Sequence, residues 1–199
     1  MNEKIANILK SRLEGLPFVD KLAGLVRPMR IEVISDGGRA PKTFPVSSDL
    51  SFNDVEKGKY KDLIPQSKYN SIIYFEDNGT SLAYRERGRV GFVGRLNLVG
   101  WLNLDKINCL KTGSTEAILS ILSTFPEGHF SVDELREIRI TAVSEVVKSN
   151  AIFARYSYDE IKTQYLLHPF DYFALAINVE YWVKLNCVQP INITPCPTC

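Results

Sequence analysis

The sequence predicts an α+β domain: an antiparallel sheet with two main helices packed on one face and a long projecting loop or arm. Three observations predict it. Several runs alternate apolar and polar residues, the period of a half-buried strand; two segments carry apolar residues at helical spacing; residues 36–70 follow neither pattern. The chain has 199 residues, 45% hydrophobic and 24% charged, which suits one globular domain with a sizeable core and excludes wholesale disorder or a fibrous repeat. Twenty-four Lys and Arg stand against 23 Asp and Glu, a net charge of +1. No strong global field marks a dedicated nucleic-acid carrier, although a local basic patch stays open.

The first segment places Ile5, Ile8, Leu9, Leu13 and Leu16 on one helical face, and Pro17 punctuates it. Phe18, Leu22, Leu25 and Val26 suggest a short further turn of helix before Pro28. From Met29 to Ser35, Met29, Ile31 and Val33 alternate with Arg30, Glu32 and Ile34, a strand closed by Asp36-Gly37-Gly38. Residues 36–70 then combine prolines, glycines and lysines, with only Thr43-Phe44-Pro45-Val46 looking extended. Structureless stretches of this length are uncommon in compact domains and tend to be functional or disordered, so either a long functional loop or a projecting arm is expected here. The runs Ser71–Glu76 and Ser81–Arg85 flank Asn78-Gly79, whose tolerance of positive φ predicts a tight hairpin. Every even position from Val90 to Leu104 is apolar or glycine, one face of a long strand with Gly94 and Gly100 as expected bends or bulges.

Ser114 and Glu116 open a second helix whose core positions are Ala117, Ile118, Ile121, Leu122 and Phe125. Ser131-Val-Asp-Glu134 fits a capping box, yet the β-branched run from Ile138 to Val147 favours a strand. A Tyr- and Phe-rich connector follows over 149–170. Phe173, Leu175, Ile177, Val179, Tyr181, Val183 and Leu185 then mark the closing strand. One domain is expected over 1–187, with arm 36–70, and a Pro-rich tail over 188–199. The charged N-terminal stretch does not read as a signal peptide, and no run approaches the ~18 residues of a membrane span. The expectation is a soluble protein without a membrane partner.

Catalytic fingerprints such as GxSxG, a Walker loop, HExxH or a dinucleotide GxGxxG are absent from the sequence, so no enzyme and no cofactor are expected. His129 and His168 read as surface or packing residues. Cys196-Pro-Thr-Cys199 has the spacing of a zinc knuckle or a redox pair, but no second pair accompanies it and no helix start follows; an inert tail is the favoured reading and no metal is assigned. Arg85, Arg87, Arg89 and Arg95 fall on one parity and predict an arginine-lined sheet face, either solvated or turned to phosphate or an acidic partner. Phe44, Phe52, Tyr60 and Leu63 in the arm, with Phe153, Tyr156, Tyr158 and Phe170 in the connector, are interface candidates, because exposed aromatics supply large area at low entropic cost.

The order of elements, with Tyr74-Phe75-Glu76-Asp77-Asn78-Gly79, Leu98-Val-Gly-Trp101-Leu-Asn-Leu104, Ile152-Phe-Ala-Arg-Tyr156-Ser-Tyr158 and His168-Pro-Phe-Asp-Tyr-Phe173, resembles the tail-terminator and tail-completion proteins of tailed bacteriophages, including those of the crAss-like group. The resemblance implies a non-catalytic subunit of the virion, assembled in the host cytoplasm into a homo-oligomeric ring at the neck or tail. Its implied partners are further copies of itself, neck, portal or tail proteins, and DNA passing through the channel. The alternative from the residues is a nucleic-acid-binding β-domain that uses the Arg85, Arg87, Arg89 and Arg95 face.

Overall fold

The computed structural model describes residues 1–35, 38–108, 113–133, 135–145, 150–157 and 164–185. Seven strands form one sheet: β1 (Lys21–Ser35), β2 (Gly38–Ser47), β3 (Ser71–Glu86), β4 (Arg89–Asn103), β5 (Phe130–Val132), β6 (Leu135–Glu145) and β7 (Phe170–Lys184), in the spatial order β2-β1-β3-β4-β7-β6-β5. The helices are α1 (Asn2–Leu13), α2 (Phe52–Glu56) and α3 (Thr115–Thr124), with 3-10 turns at Lys59–Leu63 and Asn150–Phe153. The 188–199 tail, Tyr158 and all four cysteines lie outside the described residues.

The fold is mixed α+β, and the sheet is mixed too, which corrects the antiparallel expectation. β1 runs parallel to β3, from Lys21↔Ile72 to Val26↔Glu76. The helical turn expected over 18–26 is largely this strand. Leu22 and Leu25 pack into one core while Ala23 and Val26 pack into another, so the run is apolar on both sides, as a strand buried on both faces must be. Parallel neighbours also need a crossover of a dozen or more residues. Residues 38–70, the described part of the expected arm, belong to that crossover and are not structureless: they hold β2, α2 and a 3-10 turn.

A second correction concerns the hairpin. Asn78-Gly79 is not its turn. β3 continues to Glu86, and the register with β4 shifts between Asp77 and Thr80, so the pair forms a bulge. Gly79 sits at φ +94°, and its N–H and the Asn2 side-chain amide both donate to Asp77 Oδ1 at 2.7 Å, tying the bulge to the start of α1. The chain reverses at Arg87-Gly88, where Gly88 at φ +81° takes the left-handed position between Glu86↔Arg89. Gly100 is no bulge either. The β4–β7 ladder runs unbroken from Arg89↔Lys184 to Asn103↔Phe170, and Gly100 instead makes room for the ring of Phe173, its cross-strand partner.

Cross-strand partners share a face, so the ladders sort the side chains. The first face carries Ile73, Phe75, Leu96, Leu98, Phe173, Leu175, Ile177 and Val179, which form one core with Ile5, Leu9 and Leu13 of α1 and Ala117 and Ile121 of α3. On the second face, Tyr74, Val99, Trp101 and Ala174 form another core with Leu63, Tyr69, Phe153 and Tyr156. The strand expected over 131–148 is present as β5 and β6 up to Glu145; Val146 and Val147 lie outside the described residues.

Beyond Val26, β1 pairs with β2 alone, through Ser35↔Gly38. The prolines explain where the third strand stops. Pro28 and Pro45 sit opposite each other, which two residues without N–H donors can do only at a non-hydrogen-bonded pair. The missing donor of Pro28 therefore faces the β3 side, and the parallel ladder ends two residues earlier. The resulting two-stranded ribbon, residues 27–35 paired with 38–46, packs with α2 and the first 3-10 turn through Met29, Ile31, Val33, Phe44, Val46, Val55, Tyr60 and Ile64.

Candidate interaction site

The structure separates the sequence-predicted interface residues into three groups. Phe44, Tyr60 and Leu63 are buried in the chain's own cores, so they are not exposed anchors of an arm; Phe44 and Tyr60 pack with ring centroids 5.2 Å apart. Phe52, on α2, is 72% exposed. Its helix starts at a capping box in which Ser51 Oγ accepts from the Asp54 N–H and the Asp54 carboxylate accepts from the Ser51 N–H. Lys59, at 2.6 Å, and the Ser51 hydroxyl hold the Asp54 carboxyl down at about 2.

The connector aromatics are likewise spent inside the molecule. Phe153 and Tyr156 are buried, and Phe170 stacks on Trp101 at 5.2 Å. The Tyr156 hydroxyl donates to Glu76 Oε1 at 2.6 Å, and Arg155 Nη1 lies 3.2 Å from Oε2. Glu76 is a buried carboxyl in the middle of β3. Burial raises its pKa, with the Tyr156 hydrogen bond and the Arg155 charge pulling the other way. This cluster fastens the connector to the sheet. Sequence reasoning missed it because Glu76 and Tyr156 are 80 residues apart.

The arginines do not form one face. Arg85 pairs with Val90, a first-face residue, whereas Arg89 and Arg95 alternate with Val90 and so belong to the second face. Arg87 lies in the turn. Parity counted along a sequence does not survive a two-residue turn, since Glu86↔Arg89 and Arg85↔Val90 set Arg85 and Arg89 on opposite faces. Arg89 is held locally: it meets Glu86 at 2.7 Å and Glu137 at 3.7 Å, and its guanidinium sits 4.2 Å from the centroid of Trp182. Two arginines that sequence reasoning passed over join Arg95 instead. Arg136 pairs with Trp182 and Arg139 with Glu180; a register shift between them puts both on the second face despite their odd separation. Arg95, Arg136 and Arg139 are exposed, on the half of this face that the connector core does not reach.

Two open concavities lie at opposite ends of the strand order. One, of about 710 Å³, runs between the ribbon and α2, lined by Met29, Ile31, Phe52 and Tyr60 among others. The other, of about 700 Å³, lies between the end of α3 and β6, lined by Leu122, Phe125, Pro126, Ile140 and Val143, with Ser123, Glu127, His129 and Arg139 beside them. A smaller pocket of about 200 Å³ between α1 and β1 collects Lys10, Lys21 and Lys59 with Asp49 and Asp62. No group of three or more His, Cys, Asp or Glu able to hold a metal occurs among the described residues. None of the described helices is long and apolar enough to cross a membrane. Comparison with protein-family models and with curated proteins finds no match to this chain.

Proposed function

We propose that the chain is a non-catalytic structural subunit that assembles with copies of itself, as in a neck or tail ring of a tailed phage. One observation carries the assembly part. A two-stranded ribbon leaves the sheet with one side covered by α2 and the first 3-10 turn and the other side bare, carrying a 75% exposed Ile34, and a two-stranded ribbon gains stability when a partner covers a bare side. Over the nine pairs from Arg27↔Val46 to Ser35↔Gly38, at ~3.3 Å per residue, such a ribbon reaches on the order of 30 Å, far enough to touch a neighbour. The virion setting rests on the resemblance of the element order.

Native mass spectrometry and negative-stain electron microscopy of the purified chain test the proposal. A closed cyclic oligomer supports it; a chain that stays monomeric at every concentration overturns it.

One observation favours a second reading. Arg95, Arg136 and Arg139 are exposed on one sheet face in a chain of net charge +1, a local arrangement suited to a phosphate backbone. A polyanion held there would be released steeply by added salt, whereas an assembly built on apolar contact would not.

A further inference from the structure

The half of the second face that the connector core does not reach carries more than arginines. Arg89, Gly91, Val93 and Arg95 of β4 lie across from Lys184, Trp182, Glu180 and Asn178 of β7. On the far side of β7, Arg136 and Arg139 of β6 lie across from Trp182 and Glu180. On the β3 side, Tyr84 is opposite Gly91. One patch of sheet therefore presents two aromatic rings among several cations.

The rings form a platform. The Tyr84 ring lies across Gly91, where a Cβ would overlap it, so a glycine gives the ring its room against the sheet. Trp182 packs beside it with centroids 4.3 Å apart, and the Arg89 guanidinium sits 4.2 Å from the Trp182 centroid. Glu86 at 2.7 Å and Glu137 at 3.7 Å hold Arg89 there. Supported in this way, Tyr84 is still 42% exposed. A ring fixed against a sheet and open to solvent offers contact area at low entropic cost.

The charges of the patch do not cancel. Five cations, Arg89, Arg95, Arg136, Arg139 and Lys184, stand against three acids, Glu86, Glu137 and Glu180. Two of the acids are engaged with Arg89, and Glu180 lies opposite Arg139. Arg95, Arg136 and Lys184 remain, all exposed. Arg136 and Arg139 face β7 positions two residues apart, a spacing of roughly 7 Å along the strand, and Arg95 lies one such step further on.

Resting on the second, polyanion reading above, we infer that this patch binds single-stranded nucleic acid, with a base stacked on Tyr84 and the phosphate backbone running over Arg136, Arg139 and Arg95. The aromatic platform decides the class. Phosphate contacts alone would suit a duplex or any other polyanion, but the bases of a duplex are already stacked on one another. An unpaired base offers Tyr84 a free face. An acidic peptide would meet the arginines and leave the platform without a partner.

The test is fluorescence anisotropy of the full chain with a labelled oligothymidylate of about 12 nucleotides, titrated at several salt concentrations. Circular dichroism and thermal melting check that each variant folds. Tyr84→Ala, at an exposed position, should weaken binding roughly five- to a hundredfold with the salt slope unchanged, whereas Tyr84→Phe, which keeps the ring, should bind as wild type does. The combined changes Arg95→Gln, Arg136→Gln and Arg139→Gln should reduce the slope of log K against log salt by about two. Arg85→Gln, on the opposite face, should alter neither quantity. A folded Tyr84→Ala chain that binds like wild type, or a duplex or inorganic polyphosphate that binds as tightly as the single strand, overturns the inference and leaves the polyanion reading standing. Polyglutamate bound as tightly as the oligonucleotide makes the patch an acidic-protein surface and overturns the inference too. An Arg85→Gln chain as impaired as the triple variant puts binding on the wrong face, with the same consequence. A wild-type chain that binds none of these probes at low salt removes the polyanion reading itself.

Discussion

Replacing Tyr156 by Phe probes the joint between the connector and the sheet. The change keeps the ring, which packs edge-on to Tyr74 with centroids 6.3 Å apart, and removes only the hydroxyl that donates to Glu76 Oε1 at 2.6 Å. A hydrogen bond to a charged, buried acceptor contributes about 1.5–3 kcal/mol, and Glu76 has a side chain only 4% exposed. For a domain of this size each kcal/mol moves Tm by about 2–4 °C, so the variant should melt roughly 3–12 °C lower. The pH dependence sharpens the test. Because burial raises the Glu76 pKa above its unfolded value, the folded state holds that proton more tightly. Stability from this group is greatest below the ordinary glutamate range and is lost as pH rises through the folded value. Removing the Tyr156 donor takes away a stabilising partner of the carboxylate, so Tyr156→Phe should lose more stability with rising pH than wild type, while Glu76→Gln should flatten this contribution. Urea denaturation followed by circular dichroism across the acid-to-neutral range measures both. A Tyr156→Phe protein as stable as wild type at neutral pH, with the same pH slope, refutes the role given to this cluster.

Two further changes test the packing. A methyl at Gly100 would overlap the Phe173 ring, so Gly100→Ala should cost about 1–3 kcal/mol in urea denaturation; a neutral result would mean that the two strands do not meet in this register. Phe44→Ala should cost about 3–5 kcal/mol, since Phe44 is buried against Tyr60, and a negligible loss in the same assay would return residues 36–70 to the status of a free arm.

The parts of the fold legible in the sequence are those whose pattern is local and long. β7 alternates without interruption from Phe173 to Val183, and α1 and α3 show helical spacing because each meets the core along one stripe. What escaped was set by distant partners. Residues 21–26 are strand because β3 lies beside them, 38–70 carry elements because a parallel pair needs a crossover, and Asn78-Gly79 is a bulge because β4 continues past it. The candidate site suffered for the same reason. The expected arginine face assumed one parity through a turn, while Arg136 and Arg139 share a face only because β6 shifts register between them.

The prolines of residues 36–70 show how one feature supports two opposite readings. Along the chain they look like breakers, and they suggested a loop. In the sheet, Pro41 and Pro45 occupy alternate positions on the outer side of β2, where a strand with no further neighbour would otherwise expose donors to any passing edge. Ser157 covers the intervening Thr43. The edge nearest the ribbon is therefore closed to indiscriminate strand pairing, while Ile34 and its flanking charges stay open to a shaped partner. Blocking the nonspecific route while leaving an apolar tip exposed is what a surface selected for one kind of contact requires, because specificity depends as much on excluding wrong partners as on binding the right one.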